Sequence, residues 1–204
     1  MPRPSLRRTV RMGDRPRRQG QSLVEYAMTV PVFLLILLGM LEFGFAFSHH
    51  LTMEYSTREG ARTGASLANG SPQVACATVD DHVMAAVQRV LTGAGSQVSM
   101  NRIGEIRIYK SDSAGRELGP VNRWTLGAGP TVEGVPLLFR QVSSGWSACG
   151  RKNLAVSASD RVDSIGVSIT YDYDFVTPLG SLMGIAGTAK LHMTDRTIMS
   201  LNPD

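Results

Sequence analysis

The sequence lacks the residue groupings that metal-dependent and hydrolytic enzymes use. It holds two cysteines and four histidines, and the adjacent His49 and His50 have none of the carboxylate or cysteine neighbours that complete a metal site. Segment 145–149 is similar to a nucleophile elbow, but a cysteine replaces its second glycine. No calcium-binding loop surrounds the two aspartate pairs, which are Asp80 with Asp81 and Asp172 with Asp174. We therefore expect no enzymatic activity, no cofactor and no metal ion.

Basic charge is scarce beyond the N-terminus. Residues 1–20 contain seven Arg and one Asp, a net charge of +6, which leaves −2 of the total charge of +4 for residues 21–204. A nucleic-acid-binding domain would need a basic surface. The main part of the chain is therefore not expected to bind nucleic acid, and the basic character belongs to a short leader.

Charged residues are also missing from positions 27–41, which are predominantly apolar. If Glu42 is tolerated near one end, the apolar run reaches Phe47 and supplies the ~20 residues that a membrane-spanning helix requires. Arg residues beside a span stay in the cytoplasm, which places residues 1–20 in the cytoplasm and the chain after about residue 50 outside. The sequence thus predicts a single-pass protein of the inner or cytoplasmic membrane.

The membrane helix is expected to continue outward as a stalk. Between positions 22 and 68 only Pro31 would break a helix, and it should produce a kink. Glu54 and Arg58 have the spacing of a favourable helix-surface pair. We expect the pair His49–His50 at the outer membrane interface, and turn-forming residues at 69–72 should end the stalk.

The chain is therefore divided into a leader (1–20), a membrane helix with its stalk (21–68) and an outer domain (69–204). In the outer domain, apolar residues spaced by four predict a second helix from Pro72 to Leu91. Alternating apolar residues predict strands at 106–109, 164–175 and 189–194. An apolar, glycine-rich loop or short helix is expected at 177–187, and loops with short strands at 111–163. The predicted fold class is α+β with a mainly antiparallel sheet.

The two cysteines, Cys76 and Cys149, both fall in the part predicted to lie outside. In an oxidising compartment they are expected to form one disulfide, which would stabilise the fold by roughly 4 kcal/mol in the chain-entropy model. The alternative is a pair of unrelated buried thiols.

Glu25 is an ionisable residue at the head of the apolar segment. Its carboxylate should lie at the membrane interface or meet a positive partner, because burying it unpaired is costly. If the chain is cut after Gly20, the new amine of Gln21 supplies that charge, within the chain or from a neighbouring subunit. A conventional signal peptidase could instead cut after Ala46, at a small-x-small site.

These features together resemble the processing site of prepilin-like proteins of the tight-adherence (Tad) pilus. The shared pattern is an Arg-rich leader, Gly20, four further residues, then Glu25–Tyr26 and an apolar helix. The run through Pro31, Glu42–Gly44 and residues 58–62 is similar to TadE-type pseudopilins in particular. The resemblance covers residues 17–68 and 162–195, where the C-terminal part is the strand around 167–173 and the sequence Thr-Pro-Leu after it.

The resemblance implies a role in pilus biogenesis. A dedicated prepilin peptidase would cut between Gly20 and Gln21, and Glu25 would help subunits align. The partners would be other pilin-like subunits and the inner-membrane assembly platform of the Tad system. The outer domain suggests a minor pilin that primes, caps or decorates the fibre. Helix packing is expected at six positions: Pro31, Gly39, Glu42, Gly44, Gly60 and Gly64.

Two further hypotheses remain open at this stage. The first is an uncleaved, signal-anchored membrane protein whose outer domain binds a ligand or a cell-wall component. The second is a secreted binding domain that is released after Ala46.

Overall fold

The computed structural model describes residues 20–112, 114–154, 161–178 and 190–201. The predictions for the leader and for most of the apolar loop at 177–187 lie outside these residues. Two helices and seven strands follow in order: α1 (Gln21–Leu67), α2 (Val79–Leu91), β1 (Ile103–Ser111), β2 (Glu117–Leu126), β3 (Thr131–Val132), β4 (Val135–Pro136), β5 (Phe139–Ser143), β6 (Ser164–Asp174) and β7 (Lys190–Ser200). The structure confirms the predicted α+β class.

Helix α1 is 47 residues long, and Pro31 lies inside it. At ~1.5 Å per residue it extends about 70 Å, more than twice the thickness of the hydrocarbon core of a bilayer. Glu54 and Arg58 form the expected ion pair on its surface. The helix ends at Leu67, where Ala68 adopts a positive φ of 48° and Gly70 follows with a φ of 115°. The turn formers after the stalk thus end the helix at the predicted place.

Helix α2 begins at Val79 and not at Pro72, so the predicted start was wrong. The Ser71 hydroxyl accepts hydrogen bonds from the backbone N–H groups of Gln73 and Val74, and Ser71 and Val74 exchange two backbone bonds. These local bonds compete with a helical turn and hold the segment as a loop. The predicted apolar stripe is confirmed from Val79 onward, because these spaced residues are all buried: Val79, Val83, Val87 and Leu91.

The outer domain contains a five-stranded sheet in the order β5-β2-β1-β6-β7, in which all neighbouring strands are antiparallel. The predicted strand and its apolar face are confirmed in β6, since the helix-facing residues are at most 3% exposed: Ile165, Val167, Ile169, Tyr171 and Tyr173. The opposite face is also covered at Gly166 and Ser168, so burial does not alternate in that part of the strand. Helix α1 packs on β6, β7 and α2, and the core lies between this helix pair and the sheet.

Strand β2 is a ten-residue strand in the region predicted to hold only loops and short strands. Gly119 and Pro120 interrupt its pattern, because glycine and proline are uncommon inside strands. The pairing explains how the strand accommodates them. Tyr109 of β1 pairs with Val121, whereas the next residue of β1 pairs with Leu118. Gly119 and Pro120 therefore form a bulge, and β2 continues on both sides of it.

Strand β7 is longer than predicted and ends at Ser200. The predicted apolar face is only partly buried, because Leu191 remains 46% exposed at the edge of the sheet. Further along β7, the side chains that face α1 are polar. The Thr57 hydroxyl hydrogen-bonds to the Asp195 carboxylate and lies 3.0 Å from the Thr197 hydroxyl.

A disulfide between Cys76 and Cys149, the pair expected from the sequence, joins two short 3₁₀ helices with a Cα–Cα distance of 4.9 Å. A buried polar network lies beside it. The Asp80 carboxylate accepts hydrogen bonds from Arg151 and Asn122 at 2.6 Å each, and the guanidinium of Arg151 lies over the Trp146 ring. Together these contacts fix the loop before β6 onto the start of α2.

Candidate assembly helix and its junction with the outer domain

The N-terminal end of α1 lies at the predicted cleavage site. Gly20 is the residue before the helix, and Gln21 is its first residue. The Gln21 side-chain amide donates a hydrogen bond of 3.1 Å to the Glu25 carboxylate. Tyr26 is exposed. The proposed processing site therefore consists of Gly20, the last residue of the leader, and three residues in the first turns of α1.

The first half of α1 contacts almost nothing in the described chain. Pro31 is exposed, and so are many large apolar side chains of this half: Leu23, Val24, Met28, Val32, Phe33, Leu34, Leu35, Ile36, Leu37, Met40 and Leu41. By length and composition this helix could cross a membrane. Residues 21–41 would extend about 30 Å at ~1.5 Å per residue, which matches the hydrocarbon thickness.

Glu42 marks the point where the outer domain begins to cover the helix. It is only 4% exposed although it follows the apolar run directly. Its carboxylate accepts hydrogen bonds from the Tyr173 hydroxyl at 2.5 Å and from the backbone N–H groups of Val176 and Thr177 at 2.9 and 2.7 Å. We call this set of four residues the Glu42 junction. It fixes the end of β6 to α1 at the outer end of the apolar run.

The Glu42 junction satisfies a buried carboxylate without a cationic side chain. Burial raises the pKa of Tyr173, and the hydrogen bond to Glu42 raises it further, so the phenol keeps the proton that it donates. The sequence pointed to Glu42 as a packing residue, but not to its partners. Tyr173 lies 131 positions away, and only the tertiary structure brings the two together.

His49 lies in the interface between the helix and the sheet, a packing role that the sequence did not predict. Its ring packs edge-on against Tyr171 and Tyr173, at centroid distances of 5.6 and 5.1 Å. It is 7% exposed, and burial lowers its pKa. Its burial follows from helical geometry: His49 is seven residues after Glu42 and lies on the same, covered side of α1.

The six predicted packing positions fall into distinct groups. A Cβ atom added at Gly60 would lie 2.5 Å from a methyl carbon of Val87, and one added at Gly64 would lie 2.5 Å from the end of Ile165. These glycines allow α1 to approach α2 and β6. A Cβ at Gly39 or Gly44 would meet nothing within 4 Å, so no close packing within the described chain requires glycine at these two positions. Glu42 and Pro31 are described above.

Other residues considered as candidates for chemistry take part in the disulfide or in ion pairs. Cys149 of the elbow-like segment is bonded to Cys76 and is not a free thiol. Asp172 lies beside Lys190 and His192 on the open face of the sheet, and Asp174 pairs with Arg102. Within the described ranges no group of three potential ligand residues could hold a metal ion.

The structure therefore defines a protein with a long N-terminal helix, exposed and apolar in its first half, that carries an α+β outer domain on its second half. Residues 20–62 match the family described as TadE-like protein, which confirms the resemblance found in the sequence. The match begins at Gly20 and ends within α1, about a fifth of the chain in all. No curated protein and no solved structure matches the chain.

Proposed function

We propose that this protein is a minor pilin-like subunit, a pseudopilin, in the biogenesis of a Tad pilus, and that it acts by helix packing and surface contacts without catalysis. The observation that carries the proposal is the construction of α1. Its first half is apolar and unpartnered in the described chain, begins at Gln21 directly after Gly20, and lies within the TadE-like match. A helix used only as a core element would be covered by its own domain.

Processing would occur on the cytoplasmic side, where a prepilin peptidase cuts between Gly20 and Gln21. The Gln21 side chain already contacts the Glu25 carboxylate in the intact chain. Cleavage would add an ammonium group at the same end of the helix. That group could pair with Glu25 of a neighbouring subunit, which would neutralise a carboxylate at the head of an apolar helix.

Assembly would move the mature helix laterally out of the bilayer, where apolar faces of neighbouring pilin-like subunits replace lipid. Gly39 and Gly44 would allow close approach of such neighbours, because the space beside each of these glycines is open within the described chain.

The Glu42 junction would keep the outer domain attached to α1 during this step. Because it bonds the outer domain to α1 next to the apolar half, the helix and the domain would enter the assembly as one unit, at the platform in the inner membrane.

The intact mass of the protein recovered from membranes identifies its first residue and thereby tests this function. Expression together with the prepilin peptidase should give a protein that starts at Gln21, and omission of the peptidase should give one that retains the leader. A Gly20→Ala variant is the matched control, because it changes the cut site and leaves the apolar helix intact. Recovery of the uncleaved chain in the presence of active peptidase would contradict the proposal. Cyclisation of Gln21 to pyroglutamate would remove the ammonium and contradict the pairing with Glu25.

The strongest alternative is an uncleaved, signal-anchored membrane protein whose outer domain binds a ligand or the cell wall. An intact N-terminus in native membranes would favour it. Release of a secreted domain after Ala46 fits the structure less well. That cut would remove Glu42 and leave the buried hydroxyl of Tyr173 without its acceptor.

A further inference from the structure

A cleft of about 430 Å³ lies between α1, the segment before β1 and the end of β6. We call it the membrane-proximal cleft. Phe45 lies about one turn of α1 after Leu41, and Val176 is bonded to the Glu42 carboxylate. These residues place the cleft where α1 leaves its exposed apolar half, at the depth of lipid headgroups if residues 21–41 span the bilayer.

The lining of the cleft is apolar on one side and charged on another. Phe45, Phe175 and Val176 supply apolar surface. Arg102 and Asp174 also line it and form an ion pair, with side chains that are 37% and 41% exposed. The cleft therefore presents one positive and one negative group, both accessible, beside an apolar lip.

A buried histidine ring also lines the cleft. His49 lines the cleft and is 7% exposed, yet its Nδ1 atom has no hydrogen-bond partner among the described residues. This nitrogen is shielded from solvent, so a ligand in the cleft would contact other atoms of the ring.

We propose that the membrane-proximal cleft binds the headgroup of a zwitterionic phospholipid with a primary amine, of the phosphatidylethanolamine type. The phosphate would meet the Arg102 guanidinium, since this group matches phosphate oxygens well. The ammonium would donate to the Asp174 carboxylate, and the glycerol end would lie against Phe45. The volume of the cleft is within the range of small-molecule sites. This proposal rests on the membrane placement of α1, and not on the pilus function.

The chemistry predicts a specific order of lipids. A choline headgroup has the same net charge, but its quaternary ammonium has no N–H to donate. A glycerol headgroup has no cation for Asp174. Loss of one charge-assisted hydrogen bond corresponds to about tenfold or more in affinity. Phosphatidylethanolamine should therefore be retained at least about tenfold better than phosphatidylcholine or phosphatidylglycerol.

The test uses the full-length chain in detergent micelles doped in turn with phosphatidylethanolamine, phosphatidylcholine and phosphatidylglycerol, with retained lipid measured by native mass spectrometry. Soluble glycerophosphoethanolamine, added in a fourth arm, distinguishes a free phosphoester from a lipid at the membrane. Asp174→Asn should abolish the preference for ethanolamine over choline, and Arg102→Gln should weaken all three phospholipids. Because both side chains are partly exposed, these variants are expected to fold.

Arg107→Gln is the matched control, since Arg107 pairs with Glu117 on the sheet and does not line the cleft. It should leave lipid retention unchanged. Equal retention of the three lipids by the unmodified chain would overturn the proposal. So would a preference that survives Asp174→Asn, or one that Arg107→Gln reduces as strongly as Arg102→Gln does. Tight binding of the soluble phosphoester with no retention of phospholipid would overturn the lipid assignment.

Discussion

Removal of the Glu42 carboxylate should weaken the attachment of the outer domain to α1 far more than removal of a surface carboxylate on the same helix. Glu42→Ala leaves the donors of the junction without their acceptor: the Tyr173 hydroxyl, the Thr177 side chain and the backbone N–H groups of Val176 and Thr177. One hydrogen bond to a charged group is worth about 1.5–3 kcal/mol, and breaking a buried charged cluster costs roughly 3–5 kcal/mol. For a chain of this size the melting temperature should fall by about 10 °C.

Tyr173→Phe removes a single bond of the junction and should cost roughly 2 kcal/mol. In a double-mutant cycle, the two changes together should cost less than the sum of their separate costs, because they remove the same bond. The control is Glu54→Ala, which breaks the exposed ion pair with Arg58 and should cost less than about 1 kcal/mol.

The assay is thermal unfolding in detergent, followed by tryptophan fluorescence. Both tryptophans of the chain lie in the outer domain, and Trp124 is buried in its core. The signal therefore reports on the packing of this domain. Equal shifts for Glu42→Ala and Glu54→Ala, or strictly additive costs in the double-mutant cycle, would refute the assigned role of the junction.

Three further predictions concern the helix and the disulfide. Glu25→Ala should leave membrane insertion unchanged but impair pilus assembly, as measured by fibre yield from intact cells; normal fibres would remove the proposed role of this carboxylate. Gly60→Leu should destabilise the outer domain by about 2 kcal/mol or more through overpacking against Val87, whereas Gly44→Leu should not lower its melting temperature. Reduction of the disulfide from Cys76 should lower stability by roughly 2–4 kcal/mol, and two cysteines labelled by alkylation before reduction would show that the bond does not form.

Local pattern was sufficient to predict the elements that depend on a single face. The apolar run at 27–41, the spacing from Val79 to Leu91 and the alternation in β6 each bury or expose one side of one element, and that periodicity is written directly in the sequence. The proposed cut site before Gln21 is also local, because it depends on the adjacent residues of the leader and the first helical turns.

Local pattern failed where a second element decides the outcome. Strand β2 was missed because its glycine and proline are tolerated only through a bulge against β1. The start of α2 was misplaced because the Ser71 side chain competes for backbone N–H groups. The packing of His49 was missed because its partners, Tyr171 and Tyr173, lie far away along the chain.

The sequence by itself determined that the chain has a membrane-length apolar helix with a charged residue near each end, Glu25 and Glu42, because charge and hydropathy are properties of the residues themselves. Only the tertiary structure decided that the two carboxylates have different environments. Glu25 remains exposed at the end that begins the helix, whereas β6 and the residues directly after it bring hydrogen-bond donors to Glu42. The physical reason is that satisfying a buried carboxylate depends on donors brought together by the fold, and their spacing along the chain carries no signal of that contact.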